Sequence, residues 1–267
     1  MRDRIPTGRG LPNTVPFCLT AAALLLALAG AMFGQQGGRG GPPPAPLTPK
    51  ANAPEDITGY WVALVTEDWR FRMVTPAKGD FASVPLNPAG RAEGMKWDPE
   101  KDIAAGQQCK SYGAAGLMRV PGRAHITWQD EKTLKLDFDA GTQTRIFHFN
   151  SEPPADTKPS LQGYSVASWD GPAPGRGARG PMRAGSLKVV TTHLAPGYLR
   201  KNGVPYSANT VLTEYYSRTK EDNGDSYLIV TTIVEDPMYL QQPFITSTHF
   251  KMEPNGSKFM PSACEAK

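Results

Sequence analysis

The sequence predicts an all-β protein, an antiparallel meander that closes into a lipocalin-like barrel or a strongly bent sheet. Residues 121–150, PGRAHITWQDEKTLKLDFDAGTQTRIFHFN, contain three successive runs in which apolar and polar residues alternate with a period of two. The connections between these runs, DEK and AG, are short enough to force antiparallel neighbours. Similar runs before and after this stretch bring the count to about ten strands. A two-sheet sandwich is the alternative architecture.

The chain begins with a segment typical of a secretory signal peptide. Residues 1–31 combine an arginine-containing start, the apolar run AAALLLALA and small residues at the cleavage position. Residues 32–55 are rich in Gly and Pro, which indicates a disordered linker. We therefore expect a single β domain over residues 56–267. Its location would be the periplasm or the cell exterior, after general secretion, with no stable membrane insertion once the signal peptide is cleaved.

The N-terminal part of this domain is expected to contain two strands and two short helices. Ile57–Thr66 is predicted to be a strand, and the alternation in WRFRM, residues 69–73, predicts a half-buried second strand. Asn87 and Asp98 each precede a proline, and a capping residue followed by Pro is typical of a helix start. We expect no other helix.

The C-terminal half is predicted to contain further strands joined by hairpins. The sequence DNG at residues 222–224 is a strong turn signal between two alternating runs. Residues 171–184, GPAPGRGARGPMRA, interrupt another pair of runs and are interpreted as a flexible insertion rich in Gly, Pro and Arg. The expected strands cover residues 161–170, 185–192, 211–220, 226–235 and 243–252.

Two cysteines, Cys109 and Cys264, lie outside the predicted signal peptide. An even number of cysteines in an exported chain predicts one disulfide bond. This bond would tie the C-terminal tail to the segment before the meander.

The histidines do not have the spacing typical of a metal site, so neither a metal nor another cofactor is predicted. If a metal is bound, its ligands are expected to be His125, His148 and His249 with Glu214. Alternatively, these histidines are separate surface or half-buried residues.

Glu214 is the candidate catalytic residue. Alternation places it on the same face as Leu212 and Tyr216. A carboxylate that points inward beside aromatic rings would have a raised pKa and could act as a general base. The alternative is an outward Glu214 paired with Arg218 or with a lysine on a neighbouring strand.

Several aromatic residues could line a pocket for a small ligand. Aromatic rings supply apolar walls with polar tips, and a nearby arginine could bind a carboxylate. Packing in the core is the alternative role. The candidate ligand-binding residues are Trp128, Tyr164, Trp169, Tyr216 and Arg145.

Charge and motifs exclude several classes of function. The chain has 29 Lys and Arg against 25 Asp and Glu, a balance that does not indicate a nucleic-acid partner. The sequence contains no P-loop, no dinucleotide-binding glycine motif, no haem attachment motif and no G-x-S-x-G nucleophile elbow.

The segments VPGRAHITWQDEKTLKLDFDAGTQTR, LQGYSVASWDG, GSLKVVTTH, LTEYYSR and TTIVEDPMYLQQPFITSTHF resemble a group of exported bacterial β proteins. The resemblance covers residues 56–253, and the insertion at 171–184 departs from the short hairpin usual in that group. It implies a secreted all-β protein. Because the group has no established activity, it implies neither a substrate nor catalytic residues.

Three hypotheses for the function follow from these observations. The first is a binding protein whose barrel holds a small apolar or amphipathic ligand in a cavity lined by aromatic residues. The second is an enzyme that uses the same cavity, either an isomerase or lyase with Glu214 as base, or a metal-dependent hydrolase. The third is a structural or interaction protein of the cell envelope, with a filled barrel and an exposed apolar patch.

Overall fold

The structure is a computed structural model that describes residues 46–171 and 185–267. The predicted signal peptide lies outside these residues, as do residues 32–45 of the predicted linker and residues 172–184 of the predicted insertion.

The described residues contain eleven β-strands. In chain order they are β1 Gly59–Leu64, β2 Arg123–Trp128, β3 Thr133–Phe138, β4 Gln143–Phe149, β5 Tyr164–Asp170, β6 Ser186–Thr192, β7 Gly197–Arg200, β8 Val204–Tyr206, β9 Val211–Lys220, β10 Ser226–Glu235 and β11 Phe244–Glu253. Nine of them close into a barrel in the order β1-β11-β10-β9-β6-β5-β4-β3-β2, whereas β7 and β8 form a separate two-stranded sheet. This closed barrel confirms the predicted all-β fold class.

The central meander and the late hairpin have the predicted pairing. Strands β2, β3 and β4 are antiparallel neighbours, with Ile126 opposite Leu136 and Leu136 opposite Arg145. Strands β9 and β10 pair along their full length. Their turn contains Gly224 with φ +88°, a conformation that glycine adopts without steric cost.

One pair of neighbouring strands in the barrel, β4 and β5, is parallel. A closed ring with an odd number of strands requires this, because strand directions cannot alternate all the way round. Residues 150–163 return the chain from the end of β4 to the end of the barrel where β4 began, and β5 starts there. Short turns dictate the antiparallel pairs, but the parallel pair follows only from the closure of the barrel.

The described residues contain four short α-helices: α1 Trp69–Met73, α2 Pro88–Gly94, α3 Pro99–Ala104 and α4 Ala114–Leu117, with 3-10 turns at Lys110–Tyr112 and Ala140–Thr142. Helices α2 and α3 begin where the sequence predicts. The Asn87 side chain accepts a hydrogen bond from the Gly90 amide at 2.8 Å, and that of Asp98 accepts one from the Lys101 amide at 3.2 Å. The expectation of only two helices was wrong, since α1 and α4 are also helical.

The predicted strand at residues 69–73 was wrong, because this segment forms α1. Alternation over five residues also fits one helical turn, in which positions four apart share a face. Trp69 and Met73 are that pair, and they are 66% and 60% exposed. Arg72, which a strand would have placed outside, is buried and donates a hydrogen bond to the Arg119 carbonyl oxygen.

The helices and the β7–β8 hairpin form a cap over one end of the barrel. The chain leaves the barrel after β1 and after β6, and returns from the cap into β2 and β9. A second apolar core joins cap to barrel, with Phe81, Leu199 and Tyr206 from the cap and Leu212 and Phe244 from the barrel. The cap therefore rests on buried apolar surface, which gives its side chains fixed positions.

The opposite end of the barrel is covered by the segment before β1. The Lys50 amide donates a hydrogen bond to the Glu131 carbonyl oxygen, and the Glu55 carboxylate accepts one from the Arg218 amide. Contacts with the barrel therefore begin before residue 56, within the stretch that the sequence assigns to the linker. No helix among the described residues has the length and apolar character needed to span a bilayer.

Candidate functional site

The interior of the barrel is filled with side chains, where the first hypothesis expects a cavity. The largest of them are Trp61, Arg145, Tyr216 and Phe147, each with a relative exposure of 1% or less. Leucine and valine side chains from β3, β6 and β10 fill the space between them. Small barrels are commonly filled in this way. A ligand site must therefore be sought outside the barrel interior.

Arg145 and Glu214 form an ion pair inside the barrel, below the cap. The two guanidinium Nη atoms of Arg145 donate to the two Glu214 carboxylate oxygens at 3.0 and 2.6 Å, and both side chains have 0% exposure. Arg145 also donates to Thr191 Oγ1 at 3.2 Å and to Tyr216 Oη at 3.3 Å. The hydroxyl groups of Thr191 and Ser165 are 2.8 Å apart and extend the network.

The electrostatics of this network favour a fixed ion pair. Burial alone would lower the pKa of Arg145, but Glu214 and Tyr216 together outweigh burial and raise the pKa above its ordinary value. Burial raises the pKa of Tyr216 well above its ordinary value, and Glu214 raises it further. Both residues are therefore held in one protonation state, Arg145 charged and Tyr216 neutral.

Glu214 shares the inward face with Leu212 and Tyr216, as alternation predicts. Its partner is Arg145, on a strand across the barrel, rather than Arg218. The carboxylate that Arg145 binds is thus a residue of the protein itself. Neither Arg145 nor Glu214 lines the cavities described below. These cavities therefore give a substrate no path to Glu214, and its role as a general base stays a prediction.

The other aromatic candidates lie at the end of the barrel opposite the cap or on its wall. Trp128 and Trp169 pack with Phe149, with ring centroids 5.4 and 5.3 Å from that of Phe149. Trp169 also donates its indole N–H to the Pro49 carbonyl oxygen at 2.8 Å. Together they close that end of the barrel. Tyr164 stacks on a histidine on the outer wall.

The three histidines of the metal hypothesis have separate surroundings. His125 stacks on Tyr60 with ring centroids 3.9 Å apart, and His148 stacks on Tyr164 at 4.6 Å. His249 Nδ1 lies 2.8 Å from the Thr66 hydroxyl. Across residues 46–171 and 185–267, no three potential metal ligands come together.

These stacked rings give a testable pH dependence. Burial lowers the pKa of His125 and His148 from the ordinary 6.5. The folded protein therefore binds fewer protons than the unfolded chain as pH falls through this range, so that stability decreases as the pH drops below about 6.5. We expect an NMR titration of the histidine C–H resonances to give both residues pKa values below 6.5. A midpoint at or above 6.5 for either residue would contradict this assignment.

The predicted disulfide bond is confirmed. Cys109 and Cys264 are bonded, with Cα atoms 5.2 Å apart and a sequence separation of 155. The bond holds the C-terminal tail against the cap, where the Thr142 hydroxyl donates to the Ser262 carbonyl oxygen at 2.9 Å. A disulfide bond is compatible with an extracellular or periplasmic location.

The best-defined candidate site is a small cavity in the cap that we call the arginine cavity. Its volume is about 40 Å³, and its wall includes Arg72, Arg119, Arg200 and Lys201. A site for one water needs about 10–15 Å³, so this cavity has room for a small polar group such as a carboxylate or a phosphate. Helix α1, the turn after α4 and strand β7 each contribute one of the arginines.

The positive charge of the arginine cavity is only partly compensated. Arg72 pairs with Glu67, and Arg119 pairs with Asp68 at 2.9 Å. Arg200 instead donates to the Ala82 carbonyl oxygen at 2.6 Å and packs its guanidinium over a phenylalanine ring. Within the described part of the chain, no carboxylate lies within ion-pair distance of Arg200. Arg200 is therefore a buried cation without a direct ion pair, while the more distant carboxylates of Asp68 and Asp80 act on it electrostatically.

Four guanidinium nitrogens around this cavity are buried and have no acceptor among the described residues: Arg72 Nη2, Arg119 Nη1, Arg200 Nε and Arg200 Nη1. Burial, reinforced by the nearby charge of Arg119, lowers the pKa of Arg200 from 12.5 to about 10. Burial likewise lowers the pKa of Arg72, against the opposing effect of Glu67. Unpaired buried donors cost free energy, so an anion in the cavity that reached these nitrogens would supply the missing acceptors and balance more of the positive charge.

Apolar side chains lie on the surface beside the arginine cavity. Val74, which lines the cavity, is 66% exposed, and the preceding helix exposes Trp69 and Met73. Trp69 and Met73 are four positions apart and share one face of α1, and a contiguous exposed apolar patch can mark a binding surface. The mouth of the cavity thus combines a cationic interior with an apolar rim.

Sequence reasoning missed this site for a physical reason. Arg72, Arg119 and Arg200 are far apart in the chain and form no motif. They meet only because the cap folds onto the barrel. The strand expected at residues 69–73 also placed Arg72 on the outside. The one available hint was the basic and aromatic composition of WRFR.

Comparisons with known proteins find no match: no protein-family model, no curated protein and no solved structure is significantly similar to this chain. The resemblance to exported bacterial β proteins stays a prediction, and the candidate site rests on its own geometry.

Proposed function

We propose that this chain is an exported binding protein that takes a small amphipathic molecule with an anionic head group in the arginine cavity. One observation carries the proposal: three buried arginines surround one small cavity, with four guanidinium donors that have no acceptor among the described residues. The signal-like N-terminal segment and the disulfide bond support export.

The chemistry of the cavity selects the head group. Guanidinium groups bind carboxylates and phosphates through paired, charge-assisted hydrogen bonds. Arg200 offers two free donors, and Arg72 and Arg119 offer one each, so a single oxyanion can accept from several directions. The small volume admits the head group alone.

The rest of the ligand would lie outside the cavity. Val74 at its mouth and Trp69 and Met73 in α1 present apolar surface to an alkyl chain or a ring. This arrangement supports an amphipathic ligand rather than a purely apolar one. We therefore propose a binding site in the cap, whereas the hypothesis from the sequence expected it inside the barrel. Among the described residues, the enzyme alternative has no comparable group of residues in its support. The filled barrel and the exposed Trp69, Met73 and Val74 also fit the envelope-interaction alternative, but that alternative does not account for the buried arginines beside them.

We expect Arg200→Met to weaken the binding of dodecyl phosphate at least tenfold. Each charge-assisted hydrogen bond contributes roughly 1.5–3 kcal/mol, and a tenfold change in affinity corresponds to about 1.4 kcal/mol. Folding should tolerate the substitution, because it removes a buried charge that has no carboxylate partner. Isothermal titration calorimetry measures the affinity, and urea unfolding measures the stability.

Arg70→Met is the matched control, because Arg70 belongs to the same helix but is exposed and pairs with Asp80. It should leave the affinity unchanged. Inorganic phosphate should bind more weakly than dodecyl phosphate, and neutral dodecyl maltoside should not compete for the cavity. Equal loss of affinity in the Arg70 and Arg200 variants would sink the proposal, as would a failure of the wild-type protein to bind dodecyl phosphate.

A further inference from the structure

A second cavity lies on another side of the cap, and we call it the aromatic cleft. Its volume is about 250 Å³, slightly below the range of roughly 300–1,000 Å³ typical of sites for drug-sized ligands. Tyr206 is buried in its wall, and Trp97, Tyr198 and Tyr239 are half-buried around it. The cleft shares no lining residue with the arginine cavity.

The charged side chains of the aromatic cleft neutralise one another. Three lysines and three acidic residues line it, and each lysine is paired with one of the acids. The pairs are Lys96 with Glu93 at 2.8 Å, Lys101 with Asp98 at 3.5 Å, and Lys110 with Asp102 at 2.8 Å. The cleft therefore has many donors and acceptors but no net charge, in contrast to the arginine cavity.

The rings of the cleft are held in place by polar contacts. Tyr198 donates its hydroxyl to Asp102 Oδ2 at 2.8 Å, and the Lys110 ammonium lies 5.4 Å from the centroid of the Tyr198 ring. The indole N–H of Trp97 is buried with no acceptor in the described part of the chain. The cleft thus combines fixed aromatic surface with a dense set of polar groups, and its lining residues include a second buried polar atom without a partner, the Tyr206 hydroxyl.

We propose that the aromatic cleft binds a neutral saccharide. A sugar ring presents C–H groups on its faces, which pack on aromatic rings, and hydroxyl groups on its edge. Those hydroxyls can donate to carboxylates and accept from ammonium groups, and both lie around the cleft.

An ionic ligand fits the aromatic cleft less well. An anion or a cation would meet as many like charges as opposite charges in the wall. A cation would also compete with Lys110 for the Tyr198 ring. Aromatic grooves also bind proline-rich peptides. The following experiment distinguishes such a peptide from a saccharide.

Saturation-transfer NMR on the purified protein tests the proposal with maltotriose, cellotriose and the trimer of N-acetylglucosamine as probes. We expect transfer to at least one of the three, and a loss of affinity of at least tenfold in Tyr198→Ala. Tyr198→Phe keeps the ring and should retain most of the binding. Tyr215→Ala, on a tyrosine of the outer barrel wall outside this cleft, is the matched control and should bind like the wild type.

A second variant covers the case in which Tyr198→Ala does not fold. Lys101→Ala removes an exposed lysine that lines the cleft and should also weaken binding of the saccharide. The proposal is overturned if none of the three saccharides binds, if a proline-rich peptide binds in their place, or if saccharide binding survives unchanged in both Tyr198→Ala and Lys101→Ala. Arg200→Met should not affect saccharide binding, so this site and the arginine cavity can fail independently.

Discussion

Glu214→Ala is expected to lower the free energy of unfolding by about 3–5 kcal/mol, the usual cost of breaking a buried ion pair by removing one partner. The variant leaves the Arg145 guanidinium, which is fully buried, without its carboxylate. Thr191 and Tyr216 supply only neutral oxygen atoms and cannot replace the charge. Chemical denaturation followed by tryptophan fluorescence measures the effect, because Trp61 is buried in the same barrel.

Removing both charges should cost much less than removing one. In Arg145→Met combined with Glu214→Leu, the barrel keeps packed side chains and no charge remains buried, a replacement that is often neutral or stabilising. Glu235→Ala, at the exposed end of β10, is the matched control for the loss of a carboxylate and should change the stability by less than about 0.5 kcal/mol. A single Glu214→Ala variant as stable as the wild type would disprove the role assigned to this pair.

The second large effect is expected from the disulfide bond. Replacing Cys109 and Cys264 by alanine should lower the free energy of unfolding by about 5 kcal/mol on the chain-entropy estimate, because the bond closes a loop with a sequence separation of 155 residues. Engineered bonds often deliver less, so the expectation for this native bond is a loss of at least about 2 kcal/mol. Urea unfolding with and without a reductant measures it.

The variant with both Cys109 and Cys264 replaced by alanine is also the control for the reductant, which should not change its stability. Loss of the bond should loosen the C-terminal tail before the rest of the fold. Near the bond, the tail contacts the cap through an ion pair in which Lys201 Nζ lies 3.2 Å from Glu265 Oε2. A reduced wild-type protein with an unchanged unfolding midpoint would show that packing of the tail makes the bond redundant.

Local sequence patterns predicted most of the strands. Alternation in β2, β3 and β4 is visible because one face is buried and the other meets solvent. The helix starts at Asn87 and Asp98 were predicted because capping is a local interaction. The same reasoning failed at residues 69–73, since five alternating residues fit a helical turn as well as a strand.

The functional geometry depends on contacts that no local pattern contains. Alternation places Glu214 inside, but its pairing with Arg145 requires β4 and β9 to face each other across the barrel. The parallel pairing of β4 with β5 follows from closure of the barrel. The arginine cavity needs the folded cap, because Arg119 and Arg200 come from distant parts of the chain.

The most direct test of the central claim is an NMR spectrum of the arginine side chains. With ¹⁵N-labelled arginine, the Nε–H resonances of Arg72, Arg119 and Arg200 can be followed as dodecyl phosphate is added. We predict that these three resonances shift together and saturate, while those of Arg123 and Arg218, which line neither cavity, stay in place. Shifts confined to other arginines, or no shifts at all, would contradict the assignment of the arginine cavity as an anion site.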